Sequence, residues 1–381
     1  MKSMEWADTN YRYKKKLTID HTKVAGNETN FPVLVSVTDS DLKTIGNGGK
    51  LRNSNGYDIV FYDAIEKNIL SHEIQEYTAT TGAIIMWVKI PALSSSVNTV
   101  FWMYYSNSDA ATDPSSTGTW DTNFKLVCHM QDITTSTIKD STTYGNNGNK
   151  KGVNEPIQTT SGKIGKAQVF DGDADFINCG TDSSLDFPVA MTAEAWCKWS
   201  SISDSYGYIA CKGNYQPWEF AVGGTSNTDL FGPYLDTDDY QGSSYYLTPI
   251  TDNDWHHLAF VYNPDVLGGR LYLYVDGALK KTGVSWGGGI QELTANNVII
   301  GNRSLGARCF EGTIDELRLS NTYRSDNWML TTFNATDNPA TFISFGREYL
   351  LGHVIPKIPT FDRARFFPRM RLMLLSIINK L

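Results

Sequence analysis

The sequence predicts an all-β protein of two domains, and three observations carry that reading. Its 381 residues are enough to build two separate cores. Glycine (32) and tyrosine (20) are abundant, a bias typical of loop-rich sheet proteins. Apolar residues also come in short alternating runs closed by turn dipeptides, a strand pattern. At 41% hydrophobic and 19% charged residues the chain is globular, not disordered. No stretch approaches the ~20 apolar residues of a membrane-spanning helix.

The elements follow in order. Residues 11–19 set Tyr11, Tyr13, Lys15, Leu17 and Ile19 against Arg12, Lys14, Lys16 and Thr18, the period of a strand with one solvated face. Strand-like runs recur at 33–37, 58–62, 84–90 and 99–105, with turn signals at Asn47-Gly48 and Asn55-Gly56. A small, polar, proline-bearing stretch over 108–122 reads as a linker between a first domain, 1–107, and a second, 123–346. Within the second, residues 191–199 place Met191, Ala193, Ala195, Cys197 and Trp199 on one face and Thr192, Glu194, Trp196 and Lys198 on the other. Asp276-Gly277 reads as a two-residue hairpin turn. Ser325 can cap a short helix over 325–333 in which Trp328, Met329 and Phe333 pack back. Residues 347–381 read as a basic tail whose Met370, Met373, Leu374 and Ile377 share one helical stripe; it is a plain extension, a segment that docks on another subunit or a particle, or one that lies on a membrane surface.

Charge narrows the partners. The formal net charge is −8, and the tail alone carries seven Lys/Arg against Glu348 and Asp362, which leaves −13 for residues 1–346. An acidic body repels phosphate backbones, so nucleic acid is not the expected partner, whereas neutral sugars are compatible. The five cysteines, Cys128, Cys179, Cys197, Cys211 and Cys309, include no C-x-x-C pair and read as small buried thiols. The opening MKSMEWADTNYRYKKKL lacks the apolar run of a secretory signal. Either the sequence begins after such a segment, or a surface setting is reached by another route, such as release of a phage particle by lysis.

The richest segment is 166–179, KAQVFDGDADFINC, where two apolar runs flank a glycine-bearing corner with Asp171, Asp173 and Asp175. Carboxylates at every second position repel one another unless a cation or backbone amides compensate them, and a hard cation such as calcium is the simplest expectation. Together with this corner, SSLDFPVAMTAEAWCKW, DNDWHHLAFVYN, LYLYVDGALKK, VIIGNR and FEGTIDELRLSNTYRSDNW resemble, in running order, the concanavalin A-like, laminin-G-like jelly roll. Upstream, YRYKKKLTIDHTKVAGNETNFPVLVSVTDSDL, GYDIVFYD, LSHEIQEYTATTGAIIMWVKIPAL and NTVFWMYYSN resemble the β-sandwich of domain of unknown function 2341. The resemblance implies that the last jelly-roll strand lies beside the one carrying the corner, so that Asp315 faces Asp173 or Asp175 and completes a calcium site with Asp171.

A saccharide platform is expected in residues 201–250, where tyrosines alternate with acids. The candidates are Trp218, Tyr234, Asp236, Asp238, Asp239, Tyr240, Tyr245 and Tyr246. Ring faces stack on the CH-rich faces of sugars, and carboxylates accept from sugar hydroxyls. Some concanavalin A-like jelly rolls are glycoside hydrolases, which need two carboxylates facing each other. The E-x-D-x-E string of that branch is missing, because Glu311, Asp315 and Glu316 alternate wrongly. His256 and His257 are adjacent strand residues and point to opposite faces, so they do not form a metal pair. No catalytic residue is therefore expected. The reading is a non-catalytic, lectin-like or adhesive binder of a glycan or surface ligand, with structural calcium, on a cell surface, in a matrix or on a virion. Its rivals are a structural fibre or decoration protein and, more remotely, a glycosidase.

Overall fold

A computed structural model describes residues 6–352, apart from 151, 153–154, 200–201, 203–205, 214–216, 224–230, 239–240, 244–249, 251–252, 267–268, 286, 292–294 and 304–307. The first six strands are β1 (Tyr11–Ile19), β2 (Glu28–Thr38), β3 (Ile59–Tyr62), β4 (His72–Thr78), β5 (Ala83–Leu93) and β6 (Thr99–Asn107). Fifteen follow: β7 (Phe124–Cys128), β8 (Asn149–Lys150), β9 (Ile157–Thr159), β10 (Ala167–Asp171), β11 (Ile177–Asn178), β12 (Met191–Lys198), β13 (Tyr206–Lys212), β14 (Trp218–Gly223), β15 (Phe231–Asp236), β16 (Gln241–Ser243), β17 (His256–Asn263), β18 (Arg270–Val275), β19 (Ala278–Ser285), β20 (Val298–Ile300) and β21 (Glu311–Ser320). Helices α1 (Asp326–Asp337) and α2 (Pro339–Phe342) lead into a last strand, β22 (Ile343–Leu350).

The protein is two β-sandwiches. In the first, a four-stranded sheet ordered β22-β1-β6-β3 faces a three-stranded sheet ordered β2-β5-β4. Phe31, Val33 and Val35 of β2 and Ile84, Met86, Val88 and Ile90 of β5 meet Leu17, Ile19, Phe101 and Met103 in its core. In the second, an eight-stranded sheet ordered β19-β18-β17-β12-β21-β10-β9, with β7 also on β21, faces a seven-stranded sheet ordered β16-β15-β14-β13-β20-β11-β8. Its core holds the inward residues of β12, Met191, Ala193, Ala195 and Cys197, as their alternation predicts. The hairpin at Asp276 (φ 53°) and Gly277 (φ 70°) has two left-handed residues, the turn that matches strand twist. Ser325 caps α1 by accepting from Trp328 N. All five cysteines are buried thiols. Among the described residues no helix is long and apolar enough to cross a membrane.

Three expectations need correction. Residues 347–350 are not tail: β22 pairs with β1 along its length, Ile19 opposite Ile343 and Lys14 opposite Tyr349. The second sandwich is thus inserted between β6 and β22 of the first. Glu348 fixes that last strand, taking Lys50 at 2.6 Å and the Tyr105 hydroxyl. The stretch 108–122 is not a free linker, because Thr119 is buried and the Trp120 ring, 4% exposed, packs against Trp87 and Phe124. Finally, Lys14 is not solvated. It is fully buried, paired with Glu66 and flanked by the rings of Trp6, Trp102 and Tyr104 at 4.6–5.2 Å, an arrangement in which cation–π attraction replaces water.

Candidate functional site

The acidic corner is a self-satisfied turn. Asp173 N donates to Asp171 Oδ1 at 2.8 Å, and Asp171 N donates to Asp175 Oδ2 at 3.0 Å. Gly172 and Ala174 take left-handed backbone. Asp175 is buried, and desolvation with the neighbouring Asp171 and Asp173 charges pushes its pKa up to about 6. Asp315 is not its neighbour. Register pairs Asp171 with Glu311, so Asp315 lies four positions, about 13 Å, along the strand. There Asp315 Oδ2 accepts from Ile164 N at 2.8 Å, and burial followed by the Glu316 carboxylate raises its pKa well above the ordinary range. Calcium wants six or more converging oxygens, and these four carboxylates do not converge. Among the described residues no group of three His, Cys, Asp or Glu is placed to hold a metal. The predicted calcium ligands do not fit the ion as one set.

The predicted saccharide platform divides. Trp218 is fully buried in the core against Phe187 and offers no face to a ligand. Asp236 is also buried, 2% exposed, because residues 231–236 are a strand and not a loop. Tyr234 lies opposite Glu219 in the β14–β15 ladder. Glu219, which the sequence did not single out, accepts from the Tyr208 hydroxyl at 2.8 Å with Arg303 Nε at 3.7 Å. Asp238 fastens the glycine loop, its Oδ2 accepting from Gly289 N at 3.2 Å. Asp239, Tyr240, Tyr245 and Tyr246 lie outside the described residues.

The outward face of the eight-stranded sheet holds what sequence reasoning missed. Over its middle, the first sandwich covers a belt of charges. His129 Nδ1 is 2.8 Å from Glu316 Oε1, and its Nε2 is 3.4 Å from Glu73 Oε2 across the junction. Arg318 donates to Glu316 at 2.8 Å, lies 3.8 Å from Glu194 and stacks 4.4 Å over Trp87 of β5. His257 is 3.2 Å from Glu194, while its neighbour His256 turns the other way to Asp276. Glu73 also accepts from Trp120 Nε1 at 2.8 Å and Ser141 Oγ at 2.6 Å. Burial alone would push the His129 pKa down, but the Glu316 and Glu73 carboxylates raise it to about 10. Burial would likewise raise Glu73, yet His129, Ser141 and Trp120 hold it at about 2.

At the edge of that cover the sheet face opens into a cleft of about 420 Å³, lined by Val261, Asn263, Tyr272, Tyr274, Tyr323 and residues 324–327. Tyr272 and Tyr274 reach it because they are two apart on β18 and share its outward face. Tyr323 is 41% exposed and hydrogen-bonds Asp265, which raises its phenol pKa. The Tyr274 hydroxyl donates to Asp326 Oδ1 at 2.5 Å; burial and that carboxylate push the phenol pKa up, so it stays a donor. Arg324 is held bidentate by Asp121 at 3.0–3.1 Å and stacks 4.0 Å over Trp328. Ser325, Asp326 and Asn327 are exposed at the start of α1. The cleft thus joins phenol rings to amide, hydroxyl and carboxylate groups. The signal was present in LYLYVDG and SNTYRSDN, as aromatics at period two and a polar helix start.

Family comparisons agree with the order of modules. The model of a domain of unknown function, DUF2341, matches residues 55–154, and that of the concanavalin A-like lectin/glucanase superfamily matches 171–328. The chain carries the two in that order, with the jelly-roll sandwich lying between β6 and β22 of the first. No curated protein sequence matches it. Among solved structures, the binding domain of Paraclostridial Mosquitocidal Protein 1 is similar at 14% identity and a TM-score of 0.45, over 56% of this chain and 52% of that one. Domain 4 of AbnA, a GH43 extracellular arabinanase from Geobacillus stearothermophilus, in complex with arabinotriose, gives 18% and 0.42, over 56% and 98%. The Ruminococcus gnavus IT-sialidase CBM40 bound to α2,3-sialyllactose gives 16% and 0.36, over 44% and 96%. The chain spans about half the length of the toxin binding domain, and at these TM-scores all three likenesses are partial.

Proposed function

We propose that the concanavalin A-like half binds carbohydrate on a surface or particle without turning it over, and that it does so in the cleft between β17, β18 and the start of α1. The observation that carries this reading is the lining: the exposed Tyr323 and half-buried Tyr272 beside about 420 Å³, with Asn263, Ser325, Asp326 and Asn327 among them, while the buried Tyr274 holds Asp326 in place. That volume suits one to a few sugar rings, within the range of small-molecule sites. Tyrosine supplies a stacking face and a hydroxyl together, and amides with a carboxylate satisfy vicinal hydroxyls. The carboxylates of the GTIDEL strand are engaged elsewhere, Asp315 with Ile164 N and Glu316 with His129 and Arg318, which supports binding over hydrolysis. Structural calcium is no part of this reading.

The rival is a structural role for the chain, supported by the buried junction that welds the sandwiches together. An oligosaccharide array probed with the full chain and with Tyr323→Ala separates the two. Binding that weakens about tenfold in the variant, equivalent to ~1.4 kcal/mol, supports the cleft. No binding to any saccharide leaves the structural reading.

A further inference from the structure

We infer that the cleft selects neutral saccharides and disfavours those carrying a carboxylate or sulfate, an inference that rests on the binding reading above. The charge around the cleft decides it. Asp326 lines the cleft, and Asp265 holds Tyr323 at its rim. Glu28 of the first sandwich stands behind, with Ser325 Oγ 3.5 Å from its Oε1. Arg324, the cation lining the cleft among the described residues, is already neutralised by Asp121 through both of its terminal nitrogens. Its Nε is buried, so the side chain offers no free positive charge to a ligand. Arg270, two residues before Tyr272 on β18, is exposed but does not line the cleft.

An anionic sugar would enter a site whose nearest free charges repel it. A neutral sugar meets a carboxylate that can accept from two adjacent hydroxyls, and Tyr274 orients that carboxylate by donating to Oδ1. The repulsion acts through water and is screened within about 10 Å at 0.1 M salt. The preference should therefore be largest at low ionic strength.

The experiment is calorimetric titration of the full chain with matched pairs, lactose against 3′-sialyllactose and cellotriose against its singly sulfated form, at 20 and 300 mM salt. The same titrations are run on Asp326→Asn, Tyr323→Ala and Arg270→Ala, with melting curves to establish folding. The expected result is at least tenfold tighter binding of the neutral member at low salt. The gap should narrow at high salt and in Asp326→Asn, and Tyr323→Ala should weaken both. Tighter binding of the anionic member, lost in Arg270→Ala, overturns the neutral class while leaving carbohydrate binding intact. Neutral binding that Tyr323→Ala and Asp326→Asn leave unchanged overturns the cleft as the site. No binding to any member of a broader oligosaccharide panel overturns the function itself.

Discussion

Two regions on one face of the eight-stranded sheet differ in how far the first sandwich covers them. Under the cover, His129, Glu316, Arg318, Glu194, His257 and Glu73 are all buried and paired into one belt. Past its edge, Tyr272 is only half-buried, Tyr323 is 41% exposed, and Asp326 faces water. Strand alternation places Glu194, His257, Arg318 and Tyr272 on that one face. Where a second layer lands, charges become structural and must be matched, because an unmatched buried charge is severely destabilising. Where it stops, the same kinds of group are left for a ligand.

The largest break in this comparison is removal of the cover. Ending the chain at Phe342 deletes β22, which leaves the β1 edge unpaired and removes Glu348 from Lys50 and Tyr105. The first sandwich should lose cooperative folding, seen as loss of the amide-exchange protection of β1 and β6. Ending it at Gly352 instead should preserve that protection. Equal protection in the two truncations would mean that β22 is dispensable.

Next in size is the belt itself. Replacing Glu316 with Gln leaves His129 and Arg318 buried with one counter-charge fewer, which should destabilise by about 3–5 kcal/mol in denaturant melts. The pH profile should show its origin. His129 has a folded pKa raised to about 10 from 6.5, so its contribution is complete below pH 6.5 and fades as pH climbs to 10. Glu73, lowered to about 2 from 4.5, contributes fully above pH 4.5 and fades as pH falls toward 2. The contribution of this pair should thus plateau between about pH 4.5 and 6.5 and decline on both sides, which the difference between the unmodified chain and His129→Ala reads. In His129→Ala the alkaline decline should flatten.

The same contrast explains what the sequence could and could not reveal. β1, the Asp276-Gly277 hairpin and the Ser325 cap were legible because neighbouring residues determine them. So was the inward face of β12, since Met191, Ala193, Ala195 and Cys197 need only alternate. The outward face was not. Trp196 is covered by Phe333 and Thr336 of α1 and Glu194 is matched by Arg318 and His257, all distant in sequence, and Lys14 looks solvated until Trp6, Trp102 and Tyr104 close around it. Asp315 was misplaced because adjacency of β10 and β21 was inferred without their register. The cleft was overlooked because aromatics in 201–250 are denser, and density does not tell a core ring such as Trp218 from one at an opening.

A smaller effect belongs to the open end. Tyr323→Ala should move the melting temperature by no more than about 1 °C, since an exposed surface side chain usually contributes within ±0.5 kcal/mol. Tyr272→Ala should move it further, because that ring also packs partly against the first core. If both variants lower stability equally, Tyr323 is a core ring and the contrast between covered and open ends fails.

The smallest effect tests the acidic corner, which resembles the belt in carrying crowded carboxylates but has only backbone amides to answer them. Asp175 has a folded pKa of about 6 against an ordinary 3.8, so ionising it opposes folding, and that penalty grows as pH rises from 4 to 6. Asp175→Asn keeps an acceptor for Asp171 N and removes the charge. It should therefore raise the melting temperature modestly at pH 8 and leave it unchanged at pH 4. A bound calcium ion would reverse the sign: the substitution would then lower the melting temperature in calcium, and EDTA would lower that of the unmodified chain by mass action. With Asp315 about 13 Å along the strand and a turn amide bound to one oxygen each of Asp171 and Asp175, the expected EDTA shift is nil.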